Sequence, residues 1–283
     1  MHQCNETKGG TVPLKNFKMK KYILSIITAT VLLYTPQSVS AQRWSIGARG
    51  GLAIPNLTAG SGSEVNPLNK GYSSRLGAGF GVFAEYHTSK LFSIQAMLEY
   101  SQQGGKKDGV QAFPLPAQMA PLFGPQAPPY LYADFKSTAK LDYLMLPVLA
   151  KFGWDLGPKK KWRIYAGAGP FAGLLLSGKQ VTEGSSQVYL DEGKTKPVPA
   201  NPTNPSAGIL SLPFDNTKDI KEQLRSFNFG LAGNVGIGFK MKRNMIFIEG
   251  GGNYGFINIQ KGSANGKNRS GAANVMIGYA YRL

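Results

Sequence analysis

Eight stretches of the chain place apolar side chains at every second position, with small or polar residues between them. A period of two marks a β-strand whose two faces meet different surroundings. The pattern predicts strands over 43–52, 73–86, 91–104, 138–154, 162–176, 224–240, 245–258 and 271–283. The sixth is the most regular. There Phe227, Phe229, Leu231, Val235, Ile237 and Phe239 alternate with Asn228, Gly230, Ala232, Asn234, Gly236 and Gly238. In the fourth, Leu144, Leu146, Val148, Ala150, Phe152 and Trp154 share one face, and Tyr143, Met145, Pro147 and Lys151 the other.

The connections alternate as well. Those at 87–90, 155–161 and 241–244 are short, and those at 53–72, 105–137, 177–223 and 259–270 are long. Strands that rise and fall between two unlike sides give this rhythm. The expected fold is all-β: an eight-stranded antiparallel up-and-down transmembrane β-barrel, with short turns in the periplasm and long loops outside. A soluble antiparallel sandwich also alternates, with its apolar face turned to a core. Three features favour the barrel. Most strands are long enough to cross a tilted bilayer. Trp44, Tyr86, Phe92, Tyr100, Trp154, Trp162, Phe239 and Tyr281 lie near strand ends, as an interfacial aromatic girdle requires. The polar face carries glycine with isolated Arg, Glu and Asn, which suits a narrow lumen.

The N-terminus reads as an export signal. Lys18, Lys20 and Lys21 precede an uncharged apolar run from Tyr22 to Tyr34, and Val39-Ser40-Ala41 supplies the small residues of a cleavage site. That run is too short for the ~20 residues of a membrane helix. Residues 1–41 are thus expected to be an extension plus a cleaved signal peptide, with Met19 an alternative start, and 42–283 the barrel.

Composition narrows the chemistry. The only cysteine is Cys4, so disulfides and a thiol nucleophile are not expected in 42–283. The only histidines are His2 and His87, and His87 is expected in a periplasmic turn, away from the outer leaflet. An outer-leaflet enzyme needs a nucleophile with a base, so no enzyme activity, cofactor or metal site is expected. Asp191-Glu192 and Asp215/Asp219 lack the ligand density of a calcium loop. The glycine-rich GAGFG and GGGNYG runs fall inside strands, where they bend the wall or admit larger lumen side chains. Net charge is +17; five lysines and one glutamate in 1–41 leave +13 for the rest. In an exported chain that excess points to outer-membrane lipid and the phosphates of lipopolysaccharide rather than to nucleic acid.

The polar face predicts a lumen network of Arg43, Arg49, Arg75, Lys151, Arg163 and Arg282 with Glu85, Glu99 and Glu249. Eight strands enclose just enough room for side chains, so the interior is expected to be plugged, around a monomeric barrel. Loops 105–137 and 177–223 are rich in proline. They can dock an envelope protein partner, fold over the mouth, or vary freely because nothing packs on them. Within the second, Asp215–Ser226 is expected to form a short helix with Ile220 and Leu224 on one face.

Several runs resemble PorT-like outer-membrane β-barrel proteins of the Bacteroidota. Tyr143-Leu144-Met145-Leu146-Pro147-Val148-Leu149-Ala150-Lys151 is similar to that family's "YLEIPLLLK" strand. The run from Tyr165 to Leu176 resembles its next strand. Phe227-Asn228-Phe229-Gly230-Leu231, followed by Gly233, Gly236 and Gly238, resembles its "FDFG…GxG" strand. The resemblance extends over 42–283 and implies an outer-membrane barrel rather than one activity; the family's namesake belongs to the type IX secretion apparatus. Met145 stands where the family has glutamate and Asn228 where it has aspartate, so part of the family's interior ion pairing is expected to be missing. The sequence favours a structural or adaptor barrel, ahead of a narrow channel or small-ligand binder and of a lipid-modifying enzyme.

Overall fold

The computed structural model describes residues 43–59, 67–201, 204–262 and 267–283. The signal-peptide reading of 1–41, with Cys4 and His2, lies outside the described residues. Eight strands form the wall: β1 (Trp44–Ala59), β2 (Gly77–His87), β3 (Phe92–Lys107), β4 (Lys136–Leu156), β5 (Trp162–Glu183), β6 (Phe227–Met241), β7 (Asn244–Gly255) and β8 (Asn268–Arg282). Each pairs antiparallel with its neighbour in the chain. β8 returns to β1, in register from Ser45↔Arg282 to Ala59↔Asn268. This closure removes the open edges that strands of such length would otherwise expose. Among the described residues no helix is long and apolar enough to cross a membrane; the crossing elements are strands.

The alternation sorts residues as the sequence pattern expects. Leu52, Val82, Val235 and Ile277 point outward and are more than half exposed, while Glu99, Leu149 and Met276 are buried inside. Three aromatic pairs face each other across strands near the short turns: Trp44 with Tyr86, Phe92 with Phe152, and Trp162 with Phe239, each with ring centroids 5.0 Å apart. Trp154 and Tyr281 stand at the same end. Tyr100 does not; it stacks on Phe80 at 4.9 Å in the other half of the wall. Tyr254, Phe256 and Phe229 form a further cluster at the long-loop end.

Strands β1, β4 and β5 outrun the pattern: β1 continues to Ala59 through a stretch expected to be loop, and β4 and β5 are the longest. β4 has 21 residues and β5 has 22. At ~3.3 Å per residue each is about 70 Å long, roughly twice the ~30 Å hydrocarbon core. The hairpin projects far beyond a bilayer on the long-loop side. Its outer part carries Lys140, Lys179 and Gln180, so the lipid-facing pattern stops although the pairing continues.

The expected helix over Asp215–Ser226 is corrected. Asn216–Asp219 is a strand paired with Thr182–Lys179 of β5, and only a single turn forms at Lys221–Gln223. β6 first meets β5 at Phe227↔Leu174, so the β5 edge beyond Leu174 needs another partner. Covering that edge outweighs a weak local helical preference.

Glycines on the inner face admit large side chains. A Cβ at Gly79 would lie 2.6 Å from Met276 Cε, and one at Gly278 would collide with the Phe247 ring. Gly278→Val is expected to cost about 1–3 kcal/mol by overpacking, read as a lower urea midpoint for unfolding from lipid vesicles. Phe247→Ala in the same chain should recover part of that loss.

Candidate functional site

The lumen is filled. Arg49 on β1 reaches Glu99 on β3 and Glu249 on β7, each two strands away around the ring, and all three side chains are almost fully buried. The Tyr165 hydroxyl donates to Glu249 Oε2 at 2.8 Å, and Asn234 Nδ2 donates to the same oxygen at 3.2 Å. A second group holds Lys151 Nζ 2.9 Å from Glu85 Oε2, with Ser93 Oγ donating to Glu85 Oε1 at 2.6 Å. Lys151 Nζ also lies 4.2 Å from the centre of the Tyr165 ring, so Tyr165 links the two groups. Burying an ion is tolerable only with partners of this kind.

Apolar side chains occupy the rest of the interior. Phe83, Met97, Leu149, Tyr165 and Phe247 form one buried cluster, reaching Ala280 near the short-turn end. Tyr143, Met145, Phe171, Leu141 and Leu175 form another, which Leu224 and Ile259 extend from the long connections. Sequence reasoning placed Tyr143 and Met145 on this inner face but built the expected lumen network from the charges alone. The signal for the apolar filling was present: Phe83, Met97, Phe171 and Met276 fall on the glycine-bearing face of their strands.

Of the nine residues expected in the lumen network, Arg49, Glu85, Glu99, Lys151 and Glu249 meet inside. Arg43, Arg163 and Arg282 line the mouth at the short-turn end instead. There Arg163 pairs with Asp155 at 2.9 Å, and Lys240 pairs with the same carboxylate at 2.7 Å. Arg75 precedes β2 and donates to the carbonyls of Leu76 and Gln103. These positions lie at strand ends, where alternation still sets the face but the lumen has already opened to water. Met145 and Asn228, the two departures from the family pattern, are buried on the inner face; Asn228 Oδ1 accepts from the Phe229 amide at 2.9 Å. His87 is corrected: it is the last residue of β2, not a turn residue, and its Nε2 lies 2.9 Å from Ser45 Oγ in the mouth.

The proline-rich loops are not loose. Val110–Pro114 pairs with Tyr130–Asp134, and Ser185–Gln187 pairs with Ser211–Pro213. The two loops join through Tyr132 and Tyr189, whose amides and carbonyls exchange two 2.8 Å hydrogen bonds. Leu131, Val188 and Val198 form a shared core, with Phe113, Leu115, Met119, Phe123, Leu210 and Leu212 packed around it. Phe135 stacks on Phe214 at 4.2 Å with a 3° interplanar angle, and Phe113 meets Phe214 edge-on at 5.3 Å. Together these segments make a folded head above the barrel, which rules out a loop that nothing packs on. The acidic residues serve the head's backbone. Asp191 accepts from the amides of Thr195 and Lys196, and Asp215 accepts from the Gly184 amide. Among the described residues no cluster of three or more His, Cys, Asp or Glu could hold a metal.

The family model described as outer membrane protein beta-barrel domain matches residues 36–261. The chain belongs to this family. It is therefore an outer-membrane β-barrel; in such barrels short turns are characteristic of the periplasmic side and long loops of the extracellular side. No curated protein matches it. Among solved structures, this outer-membrane barrel is similar to Outer Membrane Protein W of E. coli, with 16% identity, 86% of this chain and 99% of that chain covered, and a TM-score of 0.33. It is similar to OprG of Pseudomonas aeruginosa, with 12% identity, 86% and 97% covered, and a TM-score of 0.35. It is also similar to the outer membrane protease OmpT of Escherichia coli, with 10% identity, 86% and 98% covered, and a TM-score of 0.43.

Proposed function

We propose that this barrel is a non-enzymatic anchor that holds a folded two-loop head outside the cell for a protein partner in an envelope or secretion complex. One observation carries the reading. Leu131 and Val188, more than 50 residues apart on different loops, share a core in which both are completely buried. Ordering loops costs roughly 1–2 kcal/mol of backbone entropy per residue, and a fixed binding surface is a return on that cost. The sealed lumen supports the anchor over a narrow channel, because Arg49 ties together strands from opposite parts of the wall.

Two experiments test it. In planar bilayers the purified barrel should show no stable conductance; a large, steady current would restore the channel. In intact membranes, crosslinking should capture a stoichiometric partner. Capture should vanish when 110–134 and 185–213 are replaced by short Gly-Ser turns. A partner retained without the head, or a barrel that stays solitary, overturns the anchor.

A further inference from the structure

The periplasmic end of the barrel opens into a blind cavity of about 340 Å³, within the size range of small-molecule sites. Tyr165, Met245 and Ala280 close its floor against the lumen filling. Eight Lys and Arg side chains line it, against two carboxylates, an excess of six. Lys159, Lys160 and Lys161 in the adjoining turn raise the excess at this end to nine, out of thirteen for residues 42–283. Most of the net positive charge of residues 42–283 therefore lies on the side away from lipopolysaccharide.

Both carboxylates are already engaged, Glu85 by Lys151 and Asp155 by Arg163 and Lys240. Among the described residues Arg43, Lys90, Lys242 and Arg243 have no carboxylate within ion-pair distance. Beneath them the polar floor is buried: Lys151, Ser45 and Ser93 are each less than a tenth exposed. A concave mouth with low-dielectric walls and one sign of charge focuses its field on counter-ions. Its donors are guanidinium, ammonium and hydroxyl groups, the set that recognises phosphate oxygens.

We propose that this vestibule binds a small multivalent anion bearing phosphate groups, entering from the periplasm. The phosphate can belong to a soluble solute or to the headgroup of an anionic lipid in the inner leaflet. The site is independent of the head, so the anchor reading and this one stand or fall separately.

The chain's three tryptophans, Trp44, Trp154 and Trp162, all stand at this end and supply the signal. The full barrel in phosphatidylcholine nanodiscs is titrated with inorganic tripolyphosphate while tryptophan emission is followed. A saturable change is expected, weakened at least about tenfold in the Lys90→Gln, Lys242→Gln, Arg243→Gln variant, as loss of charge-assisted hydrogen bonds implies. These three residues are exposed and form no ion pair among the described residues, so the barrel should fold normally. Lys196→Gln with Lys218→Gln on the extracellular side should leave binding unchanged. Competition in nanodiscs containing phosphatidylglycerol assigns the site to a lipid headgroup; equal affinity in both discs assigns it to a soluble phosphate. No saturable change in phosphatidylcholine discs, or undiminished binding by the triple variant, overturns the proposal.

Discussion

Arg49→Met is expected to destabilise the barrel by about 3–5 kcal/mol, the cost of leaving a buried ion without its partner. The arginine neutralises Glu99 and Glu249 together, and all three side chains are nearly excluded from water. Without it two carboxylates confront one another in an interior otherwise packed with Phe83, Phe247 and Met276. Urea titration from vesicles should show the loss as a lower midpoint. The triple variant Arg49→Met, Glu99→Leu, Glu249→Gln keeps an acceptor for Tyr165 and Asn234 and should return to within about 1 kcal/mol of the native barrel. That recovery separates an unpaired ion from damaged packing. If the single variant instead lost no more than the ~0.5 kcal/mol of a surface change, the carboxylates would be hydrated and the lumen open to water. The conductance measurement would then have to be repeated on the native barrel.

The wall of this protein was legible in its sequence because each strand meets lipid on one side and lumen on the other. That contrast repeats every second residue, so a local pattern carries it through all eight strands. The pairing of the charges was not legible. Arg49 joins Glu99 and Glu249 across two strand spacings, and the closed ring with its staggered registers determines which inward groups meet. Periplasmic ends were a further blind spot. Arg163, Arg282 and Arg43 lie on the inner face by alternation, yet the lumen widens there into the vestibule. The head was the least legible part. Its core joins Leu131 to Val188 and Val198 across intervening prolines, with neither a 2.0 nor a 3.6 period to reveal it. Asn216–Asp219 illustrates the same limit, since the β5 edge that captures it lies some 35 residues earlier in the chain.

Leu131→Ala combined with Val188→Ala is expected to open the head while leaving the barrel closed. Truncation of one buried leucine costs about 2–5 kcal/mol, and these residues lie at the centre of a small core with few other buried contacts to compensate. A loss near 3 kcal/mol raises the open fraction by roughly two orders of magnitude. Trypsin added to intact cells should then cut after Lys194, which is exposed but tied in the native head by its amide hydrogen bond to the Asp191 carbonyl and its ion pair with Asp134. The barrel should keep its native urea midpoint, because its closing pairs from β1–β8 to β4–β5 do not involve either residue. Leu190→Ala with Ile209→Ala provides the contrast. Both side chains are more than a third exposed, so their removal should leave trypsin resistance intact while weakening capture of a partner that reads the head's surface. If the buried pair left proteolysis unchanged, the loops would be held by their strand pairings alone, and the shared core would lose its place as the reason for a fixed docking surface.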